Sequence, residues 1–195
     1  MWTRHVPILL TGLRAALAPV VVLLALVAPV PSAFVVCLVL AFLSDVFDGI
    51  IARRLGVATP TLRRLDSVAD SFFYAAAVYA VWVLHRDAIT DHLVLLAVLL
   101  GLEALRYVFD FIKFRREAAY HMWSSKLWGI GLFVGFLGML GAGRTDWPVL
   151  LAALPGIIAD LEGLLISAIL PQWRNDVPSV LHAWRLRKTL LAETP

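Results

Sequence analysis

The sequence predicts an all-α membrane protein, a polytopic bundle of six transmembrane helices with both termini in the cytoplasm. Of its 195 residues, 61% are hydrophobic, whereas soluble domains contain about 45–50%. Long apolar stretches recur along the chain, and a helix needs about 20 such residues to cross the hydrocarbon core. The ionisable residues inside these stretches gather at one depth. Because so few residues are left to solvate a loose chain, this composition also excludes a disordered protein.

Six stretches are long enough to span a membrane, and short breaks rich in charged residues, Gly or Pro separate them. They cover residues 7–29, 32–54, 61–84, 91–114, 121–142 and 147–170. Thr59 is placed to cap the third helix, with Pro60 in its first turn, as helix starts favour. We expect one transmembrane domain over residues 1–170 and a basic cytoplasmic tail over 171–195.

The Lys and Arg residues predict the orientation of these spans. One side of the threaded chain has only Arg86 and Arg144. The other side carries Arg4, Arg53, Arg54, Arg63, Arg64, Lys113, Arg115, Arg116, Arg174, Arg185, Arg187 and Lys188. Since basic residues are retained in the cytoplasm, both termini are expected there. The lone Cys37 lies in an apolar run and is interpreted as a packing residue, because no second cysteine exists to pair with it.

Ionisable residues inside the spans are informative because each costs about 2.5–3.5 kcal/mol at a helix centre. Every predicted helix has polar residues on its cytoplasmic side, and the outer halves are nearly bare. These residues are Arg14, Asp45, Asp48, Asp66, Asp70, Glu103, Arg106, Asp110, Ser124, Ser125, Lys126, Asp160 and Glu162. We interpret them as one polar site open to the cytoplasm. The alternative is a set of separate interhelical ion pairs and snorkelling side chains.

Four carboxylates, which we call the aspartate quartet, form the core of this predicted site. Asp45 and Asp48 are three residues apart and Asp66 and Asp70 are four apart, so each pair shares one helix face. The connection between the pairs is short, so helices two and three are expected to be antiparallel neighbours with the quartet between them. Carboxylates this close would repel one another. Nearby arginines would ease the repulsion, but Mg²⁺ or Mn²⁺ is the more economical solution, because hard cations prefer carboxylate oxygens.

A longer pattern surrounds the quartet. It reads D-x-x-D-G-x-x-A-R, then eight residues, then G-x-x-x-D-x-x-x-D, and Leu62 replaces its second glycine. The matching residues are Asp45, Asp48, Gly49, Ala52, Arg53, Asp66 and Asp70, with Leu10-Thr11-Gly12-Leu13-Arg14 and Pro19 in the first helix. In these positions the chain resembles the class I CDP-alcohol phosphatidyltransferases. Leu62 is expected to narrow the nucleotide cleft and to affect cytidine binding or the choice of donor.

The resemblance implies a metal-dependent enzyme of phospholipid biosynthesis. It would transfer a phosphatidyl group from a CDP-alcohol, CDP-diacylglycerol above all, to an acceptor alcohol with release of CMP, and the six-helix region would be its catalytic domain. The quartet would hold two ions of Mg²⁺ or Mn²⁺, and Asp70 would act as general base. Asp45, Gly49, Ala52 and Arg53 would bind the nucleotide. A homodimer in a bacterial plasma membrane, with its site facing the cytoplasm, is expected on the same ground.

The acceptor is less well defined by the sequence. Arg14, Arg106 and Lys126 are candidates for binding a phosphorylated acceptor, since cations suit that group, but each also suits an anchor to anionic lipid headgroups. No G-K-x-x-T-like pattern follows Lys126, so glycerol 3-phosphate, an inositol phosphate and other polyols all stay open.

Two other functions use the same residues. A divalent-cation transporter also needs intramembrane carboxylates, but the outer halves of the spans offer no polar path. A catalytically silent family member acting as a membrane scaffold would be consistent with Leu62. Nucleic acid is not expected as a partner, because the basic residues line the membrane boundary, where the positive-inside rule accounts for them.

Overall fold

A computed structural model describes residues 5–57, 59–116 and 120–192 of the chain. All regular structure in these ranges is helical, so the all-α prediction is confirmed for them. The helices are α1 (Val6–Val27), α2 (Pro31–Arg54), α3 (Pro60–Leu84), α4 (Arg86–Thr90), α5 (Leu93–Phe114), α6 (Trp123–Phe136), α7 (Trp147–Ile169) and α8 (Val180–Ala192). A π-helical turn, Leu137–Gly141, follows α6 directly. Arg4, which the orientation prediction used, lies outside the described residues.

Five helices in the described ranges are long and apolar enough to cross a membrane. They are α1, α2, α3 from Arg64, α6 with its π-helical turn, and α7. The fourth predicted span corresponds to α5, which has 22 residues but carries Glu103, Arg106, Asp110 and Lys113. Six spans and cytoplasmic termini therefore stay predictions, while the apolar helices are those of an integral membrane protein.

Capping residues and prolines in the sequence mark where the helices begin. Thr59 is the N-cap of α3, with its hydroxyl oxygen 3.2 Å from the backbone nitrogen of Leu62, and Pro60 begins the helix. α2 also begins with proline, Pro31, after an extended Val30. Two helices were not predicted: the single turn of α4 in the break after the third span, and α8 within the tail.

The chain forms two compact units, and the first contains Met1–Asp91 and Phe136–Pro148. Within it, α1 packs against both α2 and α3, whereas α2 and α3 have little direct contact. The prediction that helices two and three are direct neighbours is therefore wrong. The connection between them is short, but the chain before it inserts α1 between the two. Val21 of α1, Phe34 of α2 and Ala77 of α3 are among the fully buried apolar residues of this unit.

The π-helical turn approaches the rest of the first unit closely because it contains glycine at two contact points. A Cβ at Gly138 would lie 2.6 Å from Cγ of Pro148, and one at Gly141 would lie 2.7 Å from a methyl group of Val35. Real side chains do not tolerate such distances, so only glycine permits this packing.

The second unit contains His92–Gly135 and Val149–Pro195. Here the end of α7, the loop after it and α8 bury one apolar cluster, formed by Tyr120, Met122, Ile166, Leu170, Val177 and Ala183. Near the start of α7, the carbonyl oxygen of Ala152 accepts a 2.9 Å hydrogen bond from the indole of Trp128 on α6. The predicted tail over 171–195 thus contains a helix, α8, that packs within this unit.

Gly138→Ala is expected to destabilise the protein, because the added methyl group overlaps Pro148. Overpacking of this kind costs about 1–3 kcal/mol. Gly129→Ala is the matched control, since a Cβ at Gly129 meets nothing within 4 Å and alanine favours a helix by up to about 1 kcal/mol. Thermal unfolding in detergent, followed by tryptophan fluorescence, measures both changes. Equal midpoints for the two variants would contradict the packing described here.

Candidate functional site

The guanidinium of Arg14, on α1, lies among all four carboxylates of the aspartate quartet. Its Nη1 donates to Oδ1 of Asp45 at 3.1 Å and to Oδ1 of Asp70. Its Nη2 donates to Oδ2 of Asp48 and lies 3.0 Å from Oδ1 of Asp66. The convergence of the four carboxylates, predicted from their spacing, is confirmed by these contacts. Arg14 joins α2 to α3 through α1, which explains how two helices with little direct contact share one site.

Helix geometry sets the position of Arg14 and its neighbour Thr11. The two residues are three apart and therefore lie on one face of α1. The hydroxyl of Thr11 donates to the carbonyl oxygen of Pro7 at 3.1 Å and also reaches Oδ2 of Asp48 at 3.5 Å. Both side chains of α1 thus turn toward Asp48, the most enclosed carboxylate of the quartet.

Burial divides the cluster into a closed base and an open side. The side chains of Arg14 and Asp48 are only 2% and 5% exposed, whereas those of Asp45, Asp66 and Asp70 are 47%, 31% and 34% exposed. A ligand can therefore reach three carboxylates without displacing the buried pair. This arrangement suits a site whose base holds fixed charges and whose open side receives substrate.

The chemistry of the quartet fits a divalent metal. One oxygen each from Asp45, Asp48 and Asp66 lies within 4.8 Å of the others. Oδ1 of Asp66 is buried without a hydrogen-bond partner, although it lies close to Arg14. The four carboxylates outnumber the one guanidinium between them, so negative charge remains to be balanced. Hard oxygen donors in this number are typical of Mg²⁺ and Mn²⁺ sites.

Three residues expected to bind nucleotide, Gly49, Ala52 and Arg53, follow Asp48 along α2. A Cβ at Gly49 would lie 3.4 Å from Nη1 of Arg53, so this guanidinium folds back along the helix over the glycine. Ala52 is buried. A small residue at position 49 therefore leaves room for the exposed guanidinium of Arg53, a cation that would attract a phosphate group.

A sequence model of one family, CDP-alcohol phosphatidyltransferase, matches residues 4–171. The chain belongs to this family. Its members transfer a substituted phosphate group from a CDP-alcohol to an acceptor alcohol in the membrane, and they depend on divalent cations. No individual curated protein and no solved structure matches the chain.

Leu62, the departure from the family motif, lies in the first turn of α3. Its side chain lines a small cleft of about 210 Å³ together with Ile8, Val57 and Leu65. No aspartate of the quartet is among the described residues that line this cleft. Leu62 thus fills space toward the start of α1, and its predicted effect on the nucleotide cleft stays a prediction.

Arg106 and Lys126, the other two residues assigned to the acceptor, belong to the second unit. Nη1 of Arg106 lies 3.4 Å from Oδ1 of Asp160, a carboxylate with no exposed surface and no hydrogen-bond partner on either oxygen. Lys126 is exposed, with its Nζ 4.3 Å from the ring centre of Trp123. Arg106 is therefore held by a buried counter-charge, while Lys126 is available to a ligand.

A second polar network in this unit was not predicted as a network. The hydroxyl of Ser167 donates to Asp110 and lies 2.8 Å from the hydroxyl of Tyr120. Nζ of Lys113 donates to the carbonyl oxygen of Ser167 at 2.7 Å. Burial raises the pKa of Tyr120, which keeps its hydroxyl protonated. There is little indication of this network in the sequence, because a single serine in an apolar helix does not show which distant residue it contacts.

Arg14→Gln is expected to destabilise the metal-free protein, because it leaves the quartet without its cation. Removing one partner of a buried ion pair costs about 3–5 kcal/mol. The matched control is Arg54→Gln at the end of α2, where the exposed side chain should contribute within about 0.5 kcal/mol. Thermal unfolding in a chelator measures both. Added Mn²⁺ should restore more stability to Arg14→Gln than to the control, and an equal response of the two variants would contradict this account.

Proposed function

We propose that this chain transfers a phosphatidyl group from CDP-diacylglycerol to a phosphorylated alcohol and releases CMP. The observation that carries the proposal is the convergence of the quartet around Arg14, with three carboxylates open to a ligand. Family membership supports the reaction type. The lipid donor is our inference from the resemblance, and the phosphorylated acceptor is our inference from the positive charge of Arg106 and Lys126.

In the proposed step, the acceptor hydroxyl oxygen attacks the phosphorus that carries the lipid alcohol. A new P–O bond forms, the bond from that phosphorus to the bridging oxygen breaks, and CMP leaves with the electron pair. Asp70 takes the proton of the acceptor hydroxyl as general base. Its partial exposure supports this role, because the buried Asp48 has less access to an incoming hydroxyl.

We propose the quartet as the ligand set for two ions of Mg²⁺ or Mn²⁺. Such ions, when bound, would supply positive charge to the diphosphate and so favour the departure of CMP. Asp45, Gly49, Ala52 and Arg53 would contact the nucleotide. The exposed guanidinium of Arg53, folded over Gly49, supplies a cation for its phosphate.

The contacts of Arg14 favour a positioning role over the acceptor-binding role first assigned to it. Its two terminal nitrogens contact the four carboxylates of the quartet. Its Nε is buried and has no hydrogen-bond partner among the described residues. Arg106 and Lys126, in the second unit, stay candidates for acceptor recognition on the ground of their positive charge alone. A phosphorylated acceptor suits such cations better than a neutral alcohol does.

We further propose that α5 is a sixth transmembrane helix, with the chain in a bacterial plasma membrane and its site facing the cytoplasm. The distribution of Lys and Arg along the sequence supports this orientation. In α5, Arg106 and Lys113 both have partners on α7, which reduces the cost of placing them in a membrane. The homodimer is proposed from the family resemblance alone.

The reaction is tested by CMP release from purified protein in lipid nanodiscs, with CDP-diacylglycerol, Mn²⁺ and a panel of alcohols and phosphoalcohols. Asp70→Asn should lower kcat by about 10²- to 10⁴-fold, the usual contribution of a general base. Asp87→Asn, which alters an exposed carboxylate on α4, should leave kcat unchanged.

Each outcome of this assay has a definite meaning. Release with one acceptor, lost in Asp70→Asn, establishes the reaction and names the acceptor. Metal binding without release from any acceptor would overturn the proposed donor in favour of a different CDP-alcohol. If donor binding were absent as well, the silent, scaffolding member of the family would be favoured. Metal uptake into sealed liposomes without release would instead support a transporter.

The ligand set is tested by Mn²⁺ binding, followed through the electron paramagnetic resonance signal of the free ion. Asp48→Asn should weaken binding by more than the roughly 10- to 100-fold typical of an outer partner of a metal ligand. Asp87→Asn again serves as the control. Unchanged affinity in Asp48→Asn would remove the quartet from the proposed metal site.

A further inference from the structure

The last helix, α8, lies beyond the part of the chain that the family model covers, which ends at residue 171. It is nevertheless fixed in place. Ala183 and Leu190 are buried, and Ala183 belongs to the apolar cluster that includes Ile166 and Leu170 at the end of α7. One side of α8 is thus packed against the end of a membrane-spanning helix.

Hydrogen bonds also hold the start of α8. The backbone nitrogen of Val180 donates to Oε1 of Glu162 at 3.3 Å, and that of Trp123 donates to the carbonyl oxygen of Pro178 at 3.3 Å. The hydroxyl of Ser179 lies 2.9 Å from Nδ1 of His182. The helix therefore has a defined orientation, and its outward face is a property of the fold.

That outward face combines apolar and basic side chains. Leu181, Trp184, Arg185 and Lys188 follow the i, i+3, i+4, i+7 spacing of one helical stripe, opposite the buried Ala183. All four are exposed, with Leu181 and Trp184 at 70% and 50%. We call these four residues the outer stripe of α8.

Further basic residues surround this helix within the second unit. Lys113, near the end of α5, donates to the carbonyl oxygens of Ser167 and Ala168 in the last turn of α7. Arg116 lies 5.5 Å from the ring centre of Trp173, in the loop before α8. The ends of α5 and α7 and the loop before α8 therefore lie together. Arg115, Arg174 and Arg187 add positive charge to the same segments.

An acidic residue in this region has a partner of its own. Oδ1 of Asp176 lies 3.7 Å from Nε2 of His121. Among the described residues, Asp176 forms no ion pair with Arg185 or Lys188, the basic members of the outer stripe.

We propose that α8 is an interfacial helix whose outer stripe binds anionic phospholipid headgroups at the boundary where α7 leaves the membrane. Leu181 and Trp184 would enter the region between headgroups and acyl chains, and Arg185 and Lys188 would reach lipid phosphates, as basic side chains with long apolar stems do. Charge complementarity selects this occupant. A face that mixes exposed leucine and tryptophan with basic residues, held beside a span, suits an anionic bilayer surface.

The test uses the full chain with a spin label at Leu181, introduced as Leu181→Cys in a Cys37→Ala background. Cys37 is buried and is the only cysteine of the sequence, so its removal leaves one labelling position. The protein is placed in nanodiscs of phosphatidylcholine, alone or with phosphatidylglycerol. Collisions with oxygen, which concentrates in the bilayer, are compared with collisions with a water-soluble nickel chelate.

We expect the label to favour oxygen when phosphatidylglycerol is present and to shift toward the chelate when it is absent. R185Q/K188Q should weaken docking of the helix by about fivefold per charge removed. R86Q/R144Q is the matched control, because it removes two exposed basic residues that belong to the first unit. It should leave the label position unchanged.

Two results would overturn the proposal. A label equally open to the chelate in both bilayers would mean that the outer stripe faces water. A label protected from both collision partners would mean that protein, such as a second copy of the chain, covers the stripe. The readout does not depend on CMP release, so its failure is distinguishable from a failure of the proposed reaction.

Discussion

The ion pairs between Arg14 and the aspartate quartet are the interaction on which the first unit depends. A guanidinium with 2% of its side chain exposed is costly to bury unless it is paired, and four neighbouring carboxylates repel one another without a cation. Each requirement is met by the other group. The consequence is structural, because Arg14 contacts α2 and α3 together only when α1 lies between them.

The same balance explains how the site can serve chemistry. Arg14 balances only part of the negative charge of the quartet, since one positive charge faces four negative ones. It lies at the closed base with Asp48, and the other three carboxylates are open to a ligand. The guanidinium of Arg14 at the closed base thus holds the four carboxylates together. The negative charge that Arg14 does not balance lies on the open side, where added cations and a diphosphate would bind. Stability and ligand affinity come from different sides of one cluster.

The sequence predicted what depends on local spacing. The helix limits followed from apolar length, from Thr59 and from Pro60, and the pairing of carboxylates on one face followed from offsets of three and four. Packing between distant segments was not accessible in this way. Nothing in the spacing of α2 and α3 indicates that α1 separates them, and the contact of Asp110 with Ser167 joins helices far apart in sequence. α8 was missed because its charges give it the composition of a tail.

The charged residues of α5 show how partners on a neighbouring helix bear on the proposal that α5 spans the membrane. Counted singly, its Arg106 and Lys113 argue against a span. In the structure, Arg106 faces Asp160 of α7, and Lys113 donates to carbonyl oxygens in the last turn of the same helix. The cost of an ionisable group in a membrane falls when its partner is supplied by a neighbouring helix. On the proposal that α5 spans the membrane, α5 and α7 would therefore enter it as a pair, because Arg106 and Lys113 of α5 have their partners on α7.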